Sequence, residues 1–362
     1  MIFDFQLLFK AWRAESKGKG DANNQQRYRY SLEENLYALA NKLNTKQYRP
    51  APLRLKQILY PKRRQAQVPS QEDKIVQHAI CDEHAYYPLV ASLVKEASAN
   101  TRGRGTDYGR MVLKQQLRSF WTANKQPPCI LKADIHSFFY SIPHDRAFAI
   151  VNRYIHDEEI KAVLKSFIRL TGRGLPLGLQ QSQLIANLYL SELDHKLKER
   201  WHVRYYGRHM DDFYVLSNSR EALERIVEWL REYTADIGLE LNPKTCILYR
   251  SFDYLGFSYT VSDTGKIIER LSKNKLKSKR RYLQKLAKQL QTGEITNTRA
   301  EAAYFGWRVH SVKAKNARTQ ILNMDKYFKR LLNERGYDLI IRYHPKGKIH
   351  FRVEITPLEK EL

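Results

Sequence analysis

The sequence predicts an α+β protein in which a central sheet lies between two helical regions. Between residues 129 and 260, apolar strands and amphipathic helices alternate in the order strand, helix, helix, strand–turn–strand, helix, strand. This is a βαββαβ-like, ferredoxin-like order, and sheets of this topology can place acids from separated segments side by side. Apolar residues also recur at helical spacing in the first 50 residues and in a basic segment from about 261 to 335.

The elements before the central sheet follow from apolar spacing and from the positions of proline and glycine. They are helices over 1–50, extended chain over 52–70 with a turn at Pro61, a helix over 71–96 broken near Pro88, and a loop over 100–109. These segments predict a mainly helical N-terminal region that contains one extended hairpin.

The central sheet and the C-terminal part are predicted in the same way. Their elements are a strand over 129–135, a helix over 144–171, a loop over 172–178, a helix over 182–200, strands over 203–206 and 213–216, a helix over 220–237 and strands over 246–260. The basic helical segment follows. The tail LIIRYHPKGKIHFRVEI predicts a hairpin of two strands around Pro345–Gly347.

The charge of the chain points to a polyanionic partner. Lys and Arg number 63 against 38 Asp and Glu, so the formal net charge is +25. A basic surface of this size attracts nucleic acid most commonly, although a solvated basic surface or a membrane-surface protein would show the same composition.

The cysteines and the apolar runs indicate the cellular compartment and the kinds of site that can be expected. The three cysteines, Cys81, Cys129 and Cys246, are far apart and show no CxxC spacing, so neither a zinc site nor a disulfide framework is expected. The N-terminus lacks the charge pattern and cleavage site of a signal peptide, and nowhere do eighteen apolar residues run together. We therefore expect a cytoplasmic protein without a membrane partner.

Three carboxylates are the candidate chemical groups. Asp134 ends an apolar strand, and Asp211 and Asp212 sit together at a strand turn between Met210 and Phe213. An adjacent Asp pair at a hairpin tip is costly unless a cation neutralises it, although an Asp pair alone also fits a surface turn. Hard oxygen ligands favour Mg²⁺, and two such ions serve phosphoryl transfer.

Seven ordered blocks of this sequence resemble reverse transcriptases, over about residues 5 to 310. They are PKRRQAQVPSQEDKIVQHAI (61–80), NTRGRGTDYG (100–109), LKADIHSFFYSI (131–142), LPLGLQQSQLIANLYLSELD (175–194), RHMDDFYVL (208–216), IGLELNPKTCILY (237–249) and FDYLGF (252–257). The resemblance implies a right-hand polymerase fold, with fingers over 1–105, a ferredoxin-like palm over 106–260 and a helical thumb over 261–335. The tail over 336–362 lies beyond the match.

The resemblance also implies roles for single residues. Asp134, Asp211 and Asp212, together with Ile135, would hold two Mg²⁺ ions, with Mn²⁺ as an alternative. Lys244 would be the general acid for the leaving pyrophosphate. The substrate-binding residues would be Lys62 and Arg64 on the triphosphate, Arg102 on the dNTP or the template, Ile135, Phe139 as the steric gate against a 2′-hydroxyl, and Gln183. Leu255 and Gly256 would form the primer grip. His209 departs from the usual YxDD pattern.

Two features resemble the reverse transcriptases of diversity-generating retroelements. Gln183 follows Ser182 where intron and retron enzymes usually have proline, and the block LLFKAWRAESKGKG resembles the opening helix of the retroelement enzymes. This implies copying of a template RNA into cDNA from dNTPs, errors mainly opposite adenine, and a small basic accessory protein. A phage-defence reverse transcriptase with its own non-coding RNA is the alternative. A non-catalytic RNA-binding protein is the third interpretation, and the intact aspartates argue against it.

The segment from Arg270 to Arg330 combines basic residues with aromatic ones. Aromatic residues at helical spacing predict a small core, and the Lys/Arg face would meet phosphates. By resemblance it is the thumb, which grips the template–primer duplex. Lys275, Lys277 and Lys279 are expected on that face.

Overall fold

Helices and strands are mixed along the whole chain, which confirms the predicted α+β class. The computed structural model describes residues 3–18, 23–58, 64–168, 172–343 and 351–358. Two compact units are present: Met1–Leu113 with Leu131–Ile247, and Lys114–Ile130 with Leu248–Leu362. Within the described part of the chain, every helix is too short or too polar to cross a lipid bilayer.

The helices of the described residues share a moderate length of four to nineteen residues. They are α1 (Phe5–Ser16), α2 (Asn23–Tyr30), α3 (Leu32–Asn44), α4 (Gln71–Ile80), α5 (Tyr86–Val90), α6 (Thr106–Asn124), α7 (Phe138–Ser141), α8 (His144–Tyr154), α9 (Glu158–Ser166), α10 (Gln180–Tyr189), α11 (Ser191–Glu199), α12 (Arg220–Asp236), α13 (Lys273–Gln291), α14 (Asn297–Ser311) and α15 (Arg318–Asn333). A π-helical turn, Cys81–Ala85, joins α4 to α5.

In the part of the chain that the structure describes, the strands are short and form four sheets. They are β1 (Arg54–Ile58), β2 (Arg64–Val68), β3 (Cys129–Ala133), β4 (Tyr205–His209), β5 (Asp212–Ser217), β6 (Cys246–Tyr249), β7 (Ser251–Tyr254), β8 (Phe257–Val261), β9 (Ile267–Leu271), β10 (Tyr337–Tyr343) and β11 (Phe351–Pro357). The sheets are β1-β2, β4-β5-β3-β6, β7-β8-β9 and β10-β11.

The four-stranded sheet has the predicted ferredoxin-like order. Its strands occur in the chain as β3, β4, β5 and β6, with helices between β3 and β4 and again between β5 and β6. In space β3 lies between β5 and β6, so β4 and β5 form a hairpin at one side. This βαββαβ arrangement brings the end of β3 and the start of β5, which carry the candidate acids, into neighbouring strands.

Where the sequence predicted two long helices, the structure has two shorter helices in each segment. The segment predicted as one helix over 144–171 contains α8 and α9, because Asp157 caps a new helix by accepting hydrogen bonds from Glu159 N and Ile160 N. The segment over 182–200 begins earlier, at Gln180, and is interrupted at Leu190. There Ser191 Oγ donates to Ser92 O, so a tertiary hydrogen bond anchors the start of α11.

The second unit has a core of its own. Aromatic and aliphatic side chains from α13, α14, α15 and the β10–β11 hairpin form one buried cluster, which includes Leu283, Tyr304, Phe328, Leu339 and Val353. The predicted C-terminal hairpin is confirmed, with Tyr337 opposite Pro357; its turn lies outside the described residues, as does Pro61. The tail therefore shares a core with these helices. The predicted domain boundaries stay a prediction.

Lys279 does not lie on a phosphate-facing surface, so that expectation was wrong. Its side chain is 4% exposed. The ammonium lies 4.7 Å from the ring centroid of Tyr282 and 5.7 Å from those of Tyr304 and Trp307. Burial lowers the pKa of Lys279 to about 8. The helical period places this position on the inner face of α13, whereas Lys275 and Lys277 are exposed.

Candidate active site

The β4–β5 hairpin carries two of the candidate acids. His209 pairs with Asp212, so Met210 and Asp211 form a two-residue turn. Met210 has a φ of 58°, in the left-handed region that non-glycine residues adopt at a cost. Phe213, the next residue of β5, is fully buried. The hairpin thus fixes Asp211 in a tight turn and Asp212 at the first position of β5.

A buried ion pair holds the turn of this hairpin. Arg208 is fully buried, and its guanidinium donates to both carboxylate oxygens of Asp194, at 2.7 and 2.6 Å. It also donates to Asn187 Oδ1 at 2.9 Å and to the carbonyl of Met210 at 3.0 Å, while Tyr206 Oη donates to Asp194 at 2.5 Å. The side chain of Arg208 therefore ties α10 and α11 to the main chain of the turn. Buried charges are tolerated only with partners of this kind.

The three predicted aspartates are electrostatically coupled. Burial, the largest cause, and the negative charges of Asp134 and Asp211 together raise the pKa of Asp212 to about 7, against the opposing effect of Lys132. Asp212 Oδ1 is buried and has no hydrogen-bond partner among the described residues. A carboxylate in this situation is stabilised by a cation, which fits the donor set predicted for Mg²⁺.

The aspartates do not form a closed ligand cluster. Among the described residues, no three acidic, histidine or cysteine side chains are grouped tightly enough to enclose a metal ion. Asp134 Oδ2 accepts a hydrogen bond from Asn242 Nδ2 at 2.8 Å. The structure therefore brings Asp134, Asp211 and Asp212 into electrostatic range of one another, and their action as metal ligands, with Ile135, stays a prediction.

Asn242 is a site residue that the sequence interpretation missed. Its main-chain N–H donates to the carbonyl of Asp134 at 2.8 Å, in addition to the side-chain contact with the Asp134 carboxylate. Its Oδ1 accepts from the main-chain N–H of Lys244 at 3.0 Å, and the flanking residues Ile135 and Leu241 form a β-bridge. Asn242 thus links the first aspartate to the segment that carries Lys244. Its place directly before Pro-Lys in LNPKT was the available signal.

Ile135 directly follows Asp134 in the chain, and Phe139 lies in the short helix α7 after it. Ile135 is 1% exposed, so its side chain belongs to the core. Phe139 is half-buried in α7, and its ring lies edge-on to that of Phe138 at 5.7 Å. The carbonyl of Phe139 accepts from Leu175 N at 2.7 Å, which fixes this short helix against the loop before α10.

Arg102 and Gln183 line one open pocket of about 350 Å³. The pocket is lined by Asp82, Tyr86, Asn100, Thr101, Arg102, Arg104, Gln180, Gln183 and Leu184. The guanidinium carbon of Arg102 lies 4.3 Å from the ring centroid of Tyr86, and the Arg102 N–H donates to the Tyr86 hydroxyl. Gln183 is exposed on α10. The structure therefore brings together two predicted substrate-binding residues.

Asp82 also lines this pocket, and the sequence interpretation missed it, as it missed Asn242. It lies in the π-helical turn, an irregularity that is frequent at functional sites. Burial acts to raise the pKa of Asp82, but hydrogen bonds from His78 and Gln180 outweigh it and hold the pKa below its usual value. Arg102 Nη2 lies 3.5 Å from Asp82 Oδ1, so the carboxylate positions this arginine.

The two basic residues predicted to meet the triphosphate are only partly described. Lys62 lies outside the described residues, and for Arg64 only the main chain in β2 is described. Strand β2 is joined to the loop before α10, since Gln67 N donates to Leu177 O at 2.9 Å. Gly178 permits this approach: its φ is +109°, and a Cβ atom there would lie 2.6 Å from Gln67 O.

His209 occupies the position where the related motif has tyrosine. Its Nδ1 lies 2.9 Å from Ser98 Oγ. Burial and the neighbouring charge of Arg208 lower the pKa of His209, so the ring is neutral at pH 7. The structure places His209 as a hydrogen-bonded packing group at the end of β4.

The remaining predicted residues lie in loops and turns. Lys244 has an exposed side chain after Asn242. Leu255 and Gly256 form the β7–β8 turn, with φ values of 51° and 85°, and the flanking residues Tyr254 and Phe257 are paired. Two successive positive φ values are typical of a type I′ hairpin turn. The role of this turn as a primer grip stays a prediction.

Two curated proteins match part of this sequence. Over 135 residues the chain is 30% identical to an uncharacterized 91 kDa protein in the cob intron of Schizosaccharomyces pombe, covering 34% of this chain and 16% of that protein. Over 121 residues it is 28% identical to the retron Ec73 reverse transcriptase of Escherichia coli, covering 30% and 38% of the two chains. The matches thus span well under half of these relatives.

Solved telomerase structures are also similar. The telomerase of Candida albicans, in complex with a fragment of telomeric RNA, aligns with a TM-score of 0.47 and 13% identity over 67% of this chain and 51% of that one. Apo telomerase of Candida tropicalis aligns with a TM-score of 0.45 and 13% identity over 65% and 60%. The sequence model of the reverse transcriptase (RNA-dependent DNA polymerase) family matches residues 56–259, more than half of the chain, and the chain therefore belongs to the reverse transcriptase family.

Proposed function

We propose that this protein is an RNA-directed DNA polymerase that copies a template RNA into cDNA from dNTPs by two-metal phosphoryl transfer. The observation that carries the proposal is the coupled set Asp134, Asp211 and Asp212. In this set Asp212 has a raised pKa, and its Oδ1 has no hydrogen-bond partner in the described part of the chain. Membership of the reverse transcriptase family supports the same activity.

The aspartates are the residues that would hold divalent cations. Bound Mg²⁺ or Mn²⁺ would supply charge stabilisation to the attacking 3′-oxygen and the leaving pyrophosphate. Asn242 orients the Asp134 carboxylate through its 2.8 Å hydrogen bond, and Arg208 holds the turn that carries Asp211. Lys244 is the proposed general acid, since its exposed ammonium can donate a proton to the leaving group.

The residues around the acids would select and hold the nucleotide. The Phe139 ring would exclude a 2′-hydroxyl by its volume, and the main-chain hydrogen bond from Leu175 N to Phe139 O anchors the helix that carries it. Lys62 and Arg64 would meet the triphosphate as cations. Arg102 and Gln183 line a pocket that would take the template or the incoming base. Leu255 and Gly256 would contact the primer.

The most specific form of the proposal is a diversity-generating retroelement enzyme. Gln183 supports it, since this residue restores a main-chain N–H that proline would lack and adds an exposed amide beside the Asp82–Arg102 pocket. A polar floor of this kind would hold mispairs almost as well as correct pairs, which lowers discrimination opposite adenine. A small basic accessory protein would be its partner.

A primer-extension assay tests the polymerase proposal. Purified protein is incubated with a primed RNA template, dNTPs and either Mg²⁺ or Mn²⁺, with a primed DNA template in parallel. We expect DNA products on the RNA template that require the metal ion. Absence of products on RNA with both ions, from protein that binds the primed template, would refute the activity.

The error spectrum tests the retroelement proposal separately. The cDNA made on an RNA template containing all four bases is sequenced, with wild-type protein and with Gln183→Pro. We expect misincorporation concentrated opposite template adenine in wild type and reduced in the variant. Errors that are rare or equal at all four bases would favour the phage-defence alternative with its own non-coding RNA.

A further inference from the structure

The second unit contains a groove that includes none of the residues proposed for catalysis or for nucleotide and primer binding. It lies between the end of α14, the connection to α15, the first turns of α15 and the strand ends at Tyr343 and Phe351, and its volume is about 640 Å³. It is lined by Arg308, Val309, Val312, Lys313, Ala314, Lys315, Arg318, Ile321, Leu322, Tyr343 and Phe351. A groove of this size accommodates one or two nucleobase-sized rings.

The floor of the groove is apolar and accessible. Val312 is 50% exposed, Leu322 42% and Tyr343 64%, although each is a large apolar or aromatic side chain. Such side chains gathered in one concave patch are typical of a binding surface. An exposed tyrosine ring offers a flat face on which a planar ligand can stack.

The tyrosine is held in place by a buried arginine. Arg308 is 2% exposed, and its Nη2 donates to Tyr343 Oη at 2.6 Å. The guanidinium carbon lies 5.3 Å from the Tyr343 ring centroid and 4.5 Å from that of Phe351. Asp325 accepts from Arg308 at 3.1 and 3.0 Å and so balances its charge. The ring is therefore ordered before any ligand binds, which lowers the entropic cost of binding.

The rim of the groove is basic. Lys313, Lys315 and Arg318 are exposed, and no acidic side chain is among the described residues that line the groove. Asp325 balances the charge of Arg308, and the three exposed basic side chains lie around the apolar floor of the groove. A polyanion whose charges lie beside planar apolar groups complements this surface.

We propose that this groove binds an unpaired stretch of nucleic acid, with a base stacked on Tyr343 between Val312 and Leu322 and the adjoining phosphates on Lys313, Lys315 and Arg318. A single strand fits because its bases expose their faces, whereas a duplex buries them and offers mainly its backbone. The inference goes beyond the proposed polymerase function, because binding here needs neither the aspartates nor a primer. It gives the C-terminal hairpin a function.

Photo-cross-linking locates the bound strand. Full-length protein is irradiated with an oligouridine of roughly 12 nucleotides that contains 4-thiouridine, a length within the range of known single-strand sites. Cross-linked peptides are then identified by mass spectrometry. We expect a cross-link on the peptide that contains Tyr343, retained in Tyr343→Phe and lost in Tyr343→Ala. Cross-links confined to peptides outside the groove would overturn the proposal.

Fluorescence anisotropy measures the affinity with matched variants. The probes are labelled oligouridine RNA, oligothymidine DNA and a duplex of the same length. Tyr343→Ala should weaken single-strand binding roughly tenfold, as expected for one lost stacking contact. Replacing Lys313, Lys315 and Arg318 together by Gln should lower the slope of log K against log salt by about 2. Lys326→Gln, on the exposed surface of the same helix, is the control and should change little.

The three probes show whether the groove binds single-stranded RNA, single-stranded DNA or both. A loss with RNA alone supports an RNA segment as the ligand, and an equal loss with RNA and DNA supports recognition by stacking and phosphates only. Unchanged affinity of both groove variants for both single strands would overturn the proposal. The proposal would also be overturned if the protein bound the duplex more tightly than either single strand and Tyr343→Ala abolished that duplex binding.

Discussion

At the scale of single residues, the proposed chemistry depends on how the carboxylate of Asp134 is held. Composition and motif order were enough to select Asp134, Asp211 and Asp212 as candidates. They did not select Asn242, because an asparagine before Pro-Lys is also a common turn signal and its partner lies 108 residues away. Long-range side-chain hydrogen bonds of this kind are fixed by the tertiary fold and leave no periodic pattern in the sequence.

Replacing Asn242 by Ala should lower kcat about 10- to 100-fold, the usual effect of losing a partner that orients a metal ligand. The KM for dNTP should change little, because Asn242 acts through Asp134. The affinity for Mn²⁺, measured by electron paramagnetic resonance, should fall as well. Asn152→Ala, which removes an exposed hydrogen bond to Lys165, is the control. Unchanged kcat and Mn²⁺ affinity in Asn242→Ala would contradict the positioning role.

Phe139 gives a second test at this scale. If its ring blocks the 2′-hydroxyl, Phe139→Val should raise the rate of rNTP incorporation relative to dNTP by an order of magnitude or more. Phe138→Leu is the control: this neighbour is 2% exposed, so it should lower stability and leave the ratio unchanged. The measurement is single-nucleotide extension with both substrates. An unchanged ratio in Phe139→Val shows that another residue is the gate.

At the scale of elements, most helices and strands were predictable, and their interruptions were predictable only in part. The ferredoxin-like order and the C-terminal hairpin follow from apolar spacing, which tertiary contacts did not override. The start of a new helix at α9 was predictable from the sequence, since Asp157 followed by two glutamates is a helix-start signal. Strand β9 was not predictable, because it lies in a basic segment and contains Glu269. This glutamate is buried and accepts a hydrogen bond from Tyr259 Oη at 3.1 Å.

The Arg208–Asp194 pair allows a test of how the β4–β5 hairpin is stabilised. Arg208→Met alone should destabilise the protein by about 3–5 kcal/mol, because it leaves the Asp194 charge buried without its partner. Arg208→Met with Asp194→Leu should cost less than the sum of the single changes. Arg220→Ala, which removes an exposed pair with Glu224, should cost under about 1 kcal/mol. Urea unfolding measures all four, and strict additivity would contradict the coupling.

At the scale of the whole molecule, the charge of +25 supports a protein that binds nucleic acid. Charge alone did not show which lysines face solvent. Lys279 was expected among them, yet it packs against Tyr282 and Tyr304, because the aromatic residues of α13 and α14 form a core on that face. Sequence patterns fix the charge and the helical period, but the face that is buried depends on the partner helices.

Salt dependence tests the charge argument directly. Affinity for a primed RNA template should fall steeply between low and physiological ionic strength, because phosphate contacts release counterions. Charge reversal at the exposed Lys275 and Lys277 should weaken binding and flatten the slope. Lys279→Glu should instead lower the melting temperature, since it puts a buried carboxylate where the Lys279 ammonium packs against aromatic rings. Affinity that does not respond to salt would contradict the role of the basic surface.

Asp134, Asp211 and Asp212, at the ends of neighbouring strands, form the proposed polymerase site, and single-turnover nucleotide incorporation tests this assignment. The rate is measured on a primed RNA template for wild type, Asp134→Asn, Asp211→Asn, Asp212→Asn and the exposed control Asp236→Asn. We expect each of the three site variants to lose several orders of magnitude in rate, since the acids hold the ions that stabilise the transition state. The control should retain the wild-type rate. Incorporation by Asp211→Asn or Asp212→Asn at a near wild-type rate would contradict the account.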